Sequence, residues 1–329
     1  MASGNPDAAA NTALLSDQLL GVQNADVQCW STHDSCFHWE SRDFVLGNRI
    51  ASGAFGEVFE SAFKNQKVAA KRHHALTPAG FVLYGIDKDD VGRATIVKEV
   101  EAEIKAFLRL GSHERLLKFV GIGVDYFESQ PLPVYVLTEF IDGGTLEPWL
   151  LDNSKDDEIG RVVVEICEGL DFMHRKDFIH RDMKPANILL KSGYSVKLGD
   201  FGLAAVRGGG SERTRTQTGT PCYAAPEIAL SGIYGSKVDI YALGCIILFW
   251  LQHDEPASAH KKRLSQLRKI SDKTPFHELA CRCLDEEPRH RPTALKMKQE
   301  TVLVMQGMVG PQCHISERSV DAPCDCSTM

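Results

Sequence analysis

The apolar and polar positions change period along the chain, and the changes mark out its elements. Residues 1–40 are rich in Ala, Asn, Asp and Ser and carry one short apolar patch, Leu14 to Leu20, so they read as a flexible N-terminal extension. From Phe44 the apolar residues fall in short runs broken by glycine and polar turns: F-V-L-G-N-R-I-A-S-G-A-F-G-E-V-F, then K-V-A-A-K, then Leu117 to Val124 and Val134 to Phe140. Runs of this length, rich in β-branched and aromatic residues, predict strands. One helix interrupts them, with Val100, Ile104, Phe107, Leu108 and Leu110 at helical spacing before Gly111. Later the helical period takes over. Val162, Val163, Ile166, Leu170 and Met173 form one stripe within Ile159 to His174. Val238 to Leu251 is apolar on nearly all sides, which predicts a buried helix too short to span a membrane. Leu279 to Leu284 and the run E-E-P-R-H-R-P-T close the pattern, and periodicity ends near Met308.

Composition narrows the class. With 329 residues, 43% of them apolar and 25% charged, the chain has the make-up of a soluble globular protein of one large or two small domains. A net charge of −7 argues against general binding to nucleic-acid backbones. The ten cysteines follow no regular framework, and Cys167 and Cys245 sit inside apolar helical patterns. They read as buried thiols in a reducing compartment, cytoplasmic or nuclear. Cys29, His33, Cys36 and His38 match no common zinc spacing and are read as no metal site. No run reaches the length of a membrane span, and the N-terminus lacks a basic region followed by an apolar block. Ala2 stands where N-myristoylation needs glycine. The ending C-D-C-S-T-M puts Cys326 in a loose prenylation pattern, and membrane association would follow from a weak lipid anchor there. Ser327 and Thr328 are not aliphatic and no polybasic segment precedes them, so a plain tail over 306–329 is the preferred reading.

The chemistry is concentrated between Phe178 and Glu227, which reads F-I-H-R-D-M-K-P-A-N-I-L-L, then K-L-G-D-F-G-L-A, then G-T-P-C-Y-A-A-P-E. Two carboxylates, Asp182 and Asp200, flank the Asn187 amide and the Lys184 cation, with short apolar runs between them. Phosphoryl transfer to a hydroxyl asks for a group that orients the nucleophile and for ligands to a metal bridging the phosphates. The stretch resembles the catalytic and activation segments of the eukaryotic protein kinases. The resemblance implies an α+β, bilobal protein kinase fold over 41–305. Its N-lobe, 41–140, would be a small antiparallel sheet with one regulatory helix, and its C-lobe, 141–305, mainly helical. It implies ATP and Mg2+ as cofactors and protein hydroxyls as substrates. Asp182 would orient the hydroxyl and accept its proton, Lys184 would stabilise the transferring phosphate, and Asn187 and Asp200 would hold magnesium.

The same resemblance assigns partners elsewhere. Gly53, Gly56 and Val58 match the phosphate-covering loop, while Ala51 departs from the family pattern at its first glycine. Lys71 would bind the α/β-phosphates and pair with a helix glutamate. Among Glu99, Glu101 and Glu103, the distance back from Leu110 and His113 favours Glu103, with Glu99 in reserve. Glu139 to Ile141 would offer backbone groups to adenine, Thr138 would guard the back pocket, and Val58, Ala69 and Leu189 would sandwich the base. His180, Phe201, Phe107 and Phe119 match an internal spine, Asp239 a buried anchor for the catalytic loop, and Arg291 a partner for Glu227. Lys184 and Thr220 resemble the serine/threonine class more than the tyrosine class, and Leu203 resembles kinases that lean towards serine. Thr145 and Ala186 replace the acidic residues with which many kinases read an upstream arginine, so no strong requirement for that arginine is expected. Arg181 beside Asp182 suits a phosphate delivered by an upstream kinase to Thr216 or Thr218, with Ser211 and Thr214 as further hydroxyls in a glycine-rich loop. The segment between Lys71 and Glu103 is longer than in most kinases and reads as a solvated loop in preference to a docking surface for a regulator that positions the helix. F-V-G-I-G and C-L-D-E-E-P faintly resemble tyrosine-kinase-like serine/threonine kinases, too weakly to place a subfamily. A catalytically dead scaffold and a tyrosine kinase are the competing readings.

Overall fold

The computed structural model describes residues 44–53, 56–72, 103–124, 134–152, 158–192, 195–206, 220–230, 234–270 and 274–307. Six strands form one antiparallel sheet: β1 (Phe44–Val45), β2 (Arg49–Gly53), β3 (Gly56–Phe63), β4 (Gln66–Arg72), β5 (Phe119–Val124) and β6 (Val134–Glu139). Their order is β1-β3-β4-β6-β5, with β2 also paired to β3. The two-residue period of a strand divides its side chains between two faces. On β4, Val68 and Ala70 turn into a small cluster with Phe44, Phe63, Tyr135 and Leu137. Ala69 and Lys71 therefore take the other face. The register puts Val58 opposite Lys71 and Ala69 opposite Thr138, so these four residues share that face.

Helix α1, described over 103–110, buries Glu103, Ile104, Phe107 and Leu110, a stripe of helical period. Its C-terminal end is tied down from the other lobe, where Lys176 Nζ donates to Leu110 O at 2.6 Å and His113 stacks on Phe172 with ring centroids 4.3 Å apart.

The second lobe contains α2 (Leu146–Leu150), α3 (Ile159–Arg175), β7 (Phe178–Ile179), β8 (Ile188–Lys191), β9 (Ser195–Leu198), β10 (Ala205–Val206), α4 (Pro226–Leu230), α5 (Lys237–Gln252), α6 (His260–Lys269), α7 (Pro275–Cys283) and α8 (Ala294–Met305). Every residue of α5 from Val238 to Phe249 is buried, as its all-round apolar pattern predicts. Helix α3 runs so close to β9 that a Cβ at Gly169 would come within 2.7 Å of the Leu198 side chain. Cys167 and Cys245 are buried free thiols. Among the described residues no helix is long and apolar enough to cross a membrane.

Two element boundaries differ from the sequence pattern. The strand expected from Leu117 begins at Phe119, because Leu116 and Leu117 pair with the end of β9 instead, Leu117 N donating to Leu198 O at 2.8 Å. The apolar run that begins at Leu279 belongs to α7, which starts at Pro275, where proline at its first position and the Thr274 cap begin it about a turn earlier. The Cys/His cluster at 29–38, most of the long segment after Lys71, the loop hydroxyls from Ser211 to Thr218 and the Cys326 ending lie outside the described residues.

Candidate active site

The cleft between the lobes receives side chains from strand ends and from one irregular loop. Residues Ile188 and Leu198 pair in the β8–β9 hairpin, so Asn187 and Asp200 emerge from the same end of it, and Gly199 N donates to Asn187 O at 2.9 Å. Asp200 has a left-handed backbone, with φ 59° and ψ 71°. Its carboxylate Oδ1 accepts from Lys71 Nζ at 2.8 Å, and the same ammonium donates to Glu103 Oε1 at 3.1 Å and Oε2 at 3.3 Å. Burial opposes a charge on Lys71, but attraction to Glu103 and then to Asp200 outweighs it and raises the ammonium above its ordinary pKa. Lys71 is therefore a fixed cation at physiological pH. Glu103 is placed against it, while the other two candidate glutamates, Glu99 and Glu101, lie outside the described residues.

Asp182 is 4% exposed, and its carboxylate gathers donors from two directions. Lys184 Nζ and Asn187 Nδ2 reach Oδ2 at 2.8 and 2.9 Å, while Thr220 N and Oγ1 reach Oδ1 at 3.1 and 3.3 Å. Lys184 also donates to Thr220 Oγ1 at 2.9 Å. A capping aspartate would instead serve the amides of its own turn. Here the carboxylate is the meeting point of a cation, an amide and a hydroxyl drawn from two segments. Asn187 commits its amide nitrogen to Asp182, which leaves its carbonyl oxygen as the atom a cation would take. With the Asp200 carboxylate this makes a hard oxygen donor pair, the chemistry a divalent metal between phosphates requires.

Underneath, the loop is held by Asp239 of α5. Its carboxylate accepts from the amides of His180 at 3.0 Å and Arg181 at 2.9 Å, and lies 2.8 Å from His174 Nε2. The spine is continuous: Phe107 stacks on Phe119 at 5.4 Å and meets Phe201 edge-on at 5.0 Å, and Phe201 contacts His180 at 5.6 Å. Arg291 Nη1 and Nη2 grip Glu227 at 2.7 and 2.9 Å, a two-pronged pair with the arginine fully buried.

Around the cleft, Val58, Ala69 and Leu189 are half-buried while their strand neighbours Val68, Ala70, Ile188 and Leu190 are buried, so the former three face the gap. Thr138 is buried at its back, and Ile141 is half-buried just beyond β6. At the base of the phosphate-covering hairpin, Ala51 pairs with Val58 and Gly53 with Gly56, whose φ of 145° is open to glycine. Exposed as it is, Ala51 keeps strand pairing without a glycine. One detail restricts the hinge: the Glu139 amide donates to Lys118 O at 2.9 Å, so it is not free for a base edge. Glu139's side chain accepts from Lys118 N and Lys197 Nζ, each at 2.8 Å, linking the hinge to β9.

Sequence reasoning missed three contributors. His174 is the penultimate residue of α3 and lies six residues before His180, a spacing that is a signal only once Asp239 is known to face it. The Glu139–Lys197 pair and buried Arg263 have no local motif.

The comparisons agree with this geometry. Residues 44–303 match the family model described as protein kinase domain. The chain is 32% identical over 278 residues to the interferon-induced, double-stranded RNA-activated protein kinase of Rattus norvegicus, covering 77% of this chain and 50% of that one. It is 31% identical over 254 residues to the Aurora kinase of Eremothecium gossypii, covering 75% and 62%. To the serine/threonine-protein kinase dst1 of Dictyostelium discoideum it is 28% identical over 268 residues, covering 77% and 34%. The chain thus belongs to the protein kinase family. It spans less than two thirds of the length of each of these relatives.

Proposed function

We propose that the chain is a serine/threonine protein kinase that moves the γ-phosphate of ATP to protein hydroxyls. The observation that carries this reading is the double convergence in the cleft. Lys71 bridges Glu103 and Asp200, while Lys184 and Thr220 both contact Asp182. In this reading Lys71 holds the α/β-phosphates and Glu103 keeps it in place. Asp182 orients the substrate hydroxyl and accepts its proton, and Lys184 stabilises charge on the transferring phosphoryl group. Asn187 and Asp200 would hold magnesium, which supplies neutralising charge on the phosphates when bound. Val58, Ala69 and Leu189 form the walls for the base, Thr138 its back, and groups from Glu139 to Ile141, other than the Glu139 amide, its edge. Lys184 and Thr220 support the serine/threonine hydroxyl class, and so does the name of the serine/threonine-protein kinase relative. We place the chain in the cytoplasm and its kinase domain at 41–305, with residues 1–40 and 306–329 as extensions.

Regulation through Thr216 or Thr218 belongs to the same reading. Arg181 Nη1 reaches Tyr234 Oη at 3.3 Å and Nε donates to Leu203 O, and in this reading its charge beside Asp182 receives the loop phosphate. The decisive experiment is incubation of the purified chain with Mg·ATP and a generic protein substrate, with Asp200→Ala as control. Phosphoserine and phosphothreonine should form with wild type and vanish in the control. Nucleotide binding without transfer would support a scaffold instead, and phosphotyrosine would overturn the hydroxyl class.

A further inference from the structure

The stretch from Pro221 to Ala225 follows directly on Thr220 and lies outside every strand and helix. Thr220 touches Asp182 and Lys184, so a hydroxyl approaching Asp182 must pass beside this stretch. Pro221 is exposed and Cys222 half-buried, so the stretch shows one face to solvent. The carbonyls of Pro221, Cys222 and Ala224 turn inward, where no ladder serves them and each needs a donor.

One side chain from forty residues further on supplies those donors. Arg263 of α6 is 2% exposed. Its Nη1 donates to Cys222 O at 2.6 Å and Pro221 O at 3.3 Å, and its Nη2 to Ala224 O at 2.9 Å and Ser258 O at 3.2 Å. The guanidinium carbon lies 5.1 Å from the centroid of the Tyr241 ring. Burying a cation against carbonyls and an aromatic ring is costly, and a leucine would fill similar space more cheaply. What an arginine adds is a planar fork that fixes several carbonyls at once. The end of the segment is already anchored through Glu227 and Arg291, so general attachment does not require Arg263.

We propose that Arg263 is a positioning residue for the protein substrate: it sets the shape of residues 221–224, against which the substrate residues flanking the target hydroxyl lie. The proposal rests on the kinase reading above.

The test compares wild type, Arg263→Met and Arg263→Lys as full chains, with a peptide substrate and ATP varied separately. Arg263→Met should raise the peptide KM about tenfold through loss of charge-assisted hydrogen bonds, with the ATP KM changed less than about twofold. It should also flatten the preference among peptides that differ beside the target residue. Arg263→Lys keeps the charge but not the fork, and should recover only part of the affinity. If the Met variant does not fold, the Lys variant carries the same comparison. An unchanged peptide KM and unchanged flanking preference overturn the proposal, as does an equal fall in all parameters that follows lost thermal stability. If wild type transfers phosphate to no protein, the kinase reading fails first and this inference with it.

Discussion

His174 Nε2 lies 2.8 Å from Asp239 Oδ2 in the interior of the helical lobe, and the same carboxylate receives the His180 and Arg181 amides. Burial pushes the Asp239 pKa up, but the His174 hydrogen bond and charge more than offset it, and the group stays below its ordinary value. A depressed folded-state pKa contributes stability that is complete above the unfolded value of 3.8 and is lost as pH falls through the folded value. Urea midpoints measured from about pH 7 to about pH 3 should therefore fall at the acid end, and Asp239→Asn should flatten that limb. At neutral pH the same variant should be destabilised by about 3 kcal/mol, since it strips the charge from a buried pair. An acid limb identical in wild type and variant would remove Asp239 from the account.

Lys71 and Glu103 should separate in kinetics. Lys71→Met removes the cation and should lower kcat by about a hundredfold or more with the fold intact. Glu103→Gln keeps the shape but leaves Lys71 drawn towards Asp200 alone of its two carboxylates, and a smaller loss of about tenfold is expected. Steady-state rates at saturating ATP, with circular dichroism as the folding control, make the comparison. Equal losses would mean that Glu103 does more than hold Lys71.

The Glu139–Lys197 pair joins the hinge to the strand that leads to Asp200, and both side chains are largely shielded, 24% and 12% exposed. A double-mutant cycle with Glu139→Gln and Lys197→Met should give a coupling of about 1 kcal/mol in unfolding free energy. Additive effects would show the contact to be incidental.

Much of this site was legible because its groups sit in short words whose spacing is set by a hairpin and a loop. Asp182, Lys184 and Asn187 are close in sequence as well as in space. Glu103 was found by counting along a helix whose buried stripe includes Phe107, and it now lies 3.1 Å from Lys71. His174 and Arg263 were not legible, because each acquires its role from a partner on another helix. Arg263 has a further disguise: it stands in the run H-K-K-R, where its neighbours Lys261 and Lys262 are exposed and only burial sets it apart. The strand boundary at Phe119 was missed for a similar reason, since Leu116 and Leu117 are claimed by β9 across the lobes.

Buried thiols give an independent check of the packing. Burial drives Cys245 and Cys283 up to about 12 and Cys167 well above its ordinary value. All three should stay protonated and unreactive near pH 8, since the thiolate is the nucleophile. Alkylation of the native chain followed by mass spectrometry should leave them unmodified until denaturant is added. Labelling of Cys245 in the native state would show that α5 opens.

Asp200 and Arg181 both hold positive φ, 59° and 69°, where a side chain sits uneasily and glycine does not. Each such backbone stores about 1 kcal/mol or more that folding does not need. Random mutagenesis scored only for heat resistance would therefore have reason to favour glycine at these two positions. Such a screen would enrich sturdier chains that have lost the carboxylate beside Lys71 and the arginine beside Asp182. In this molecule robustness and chemistry compete at the level of single backbone angles.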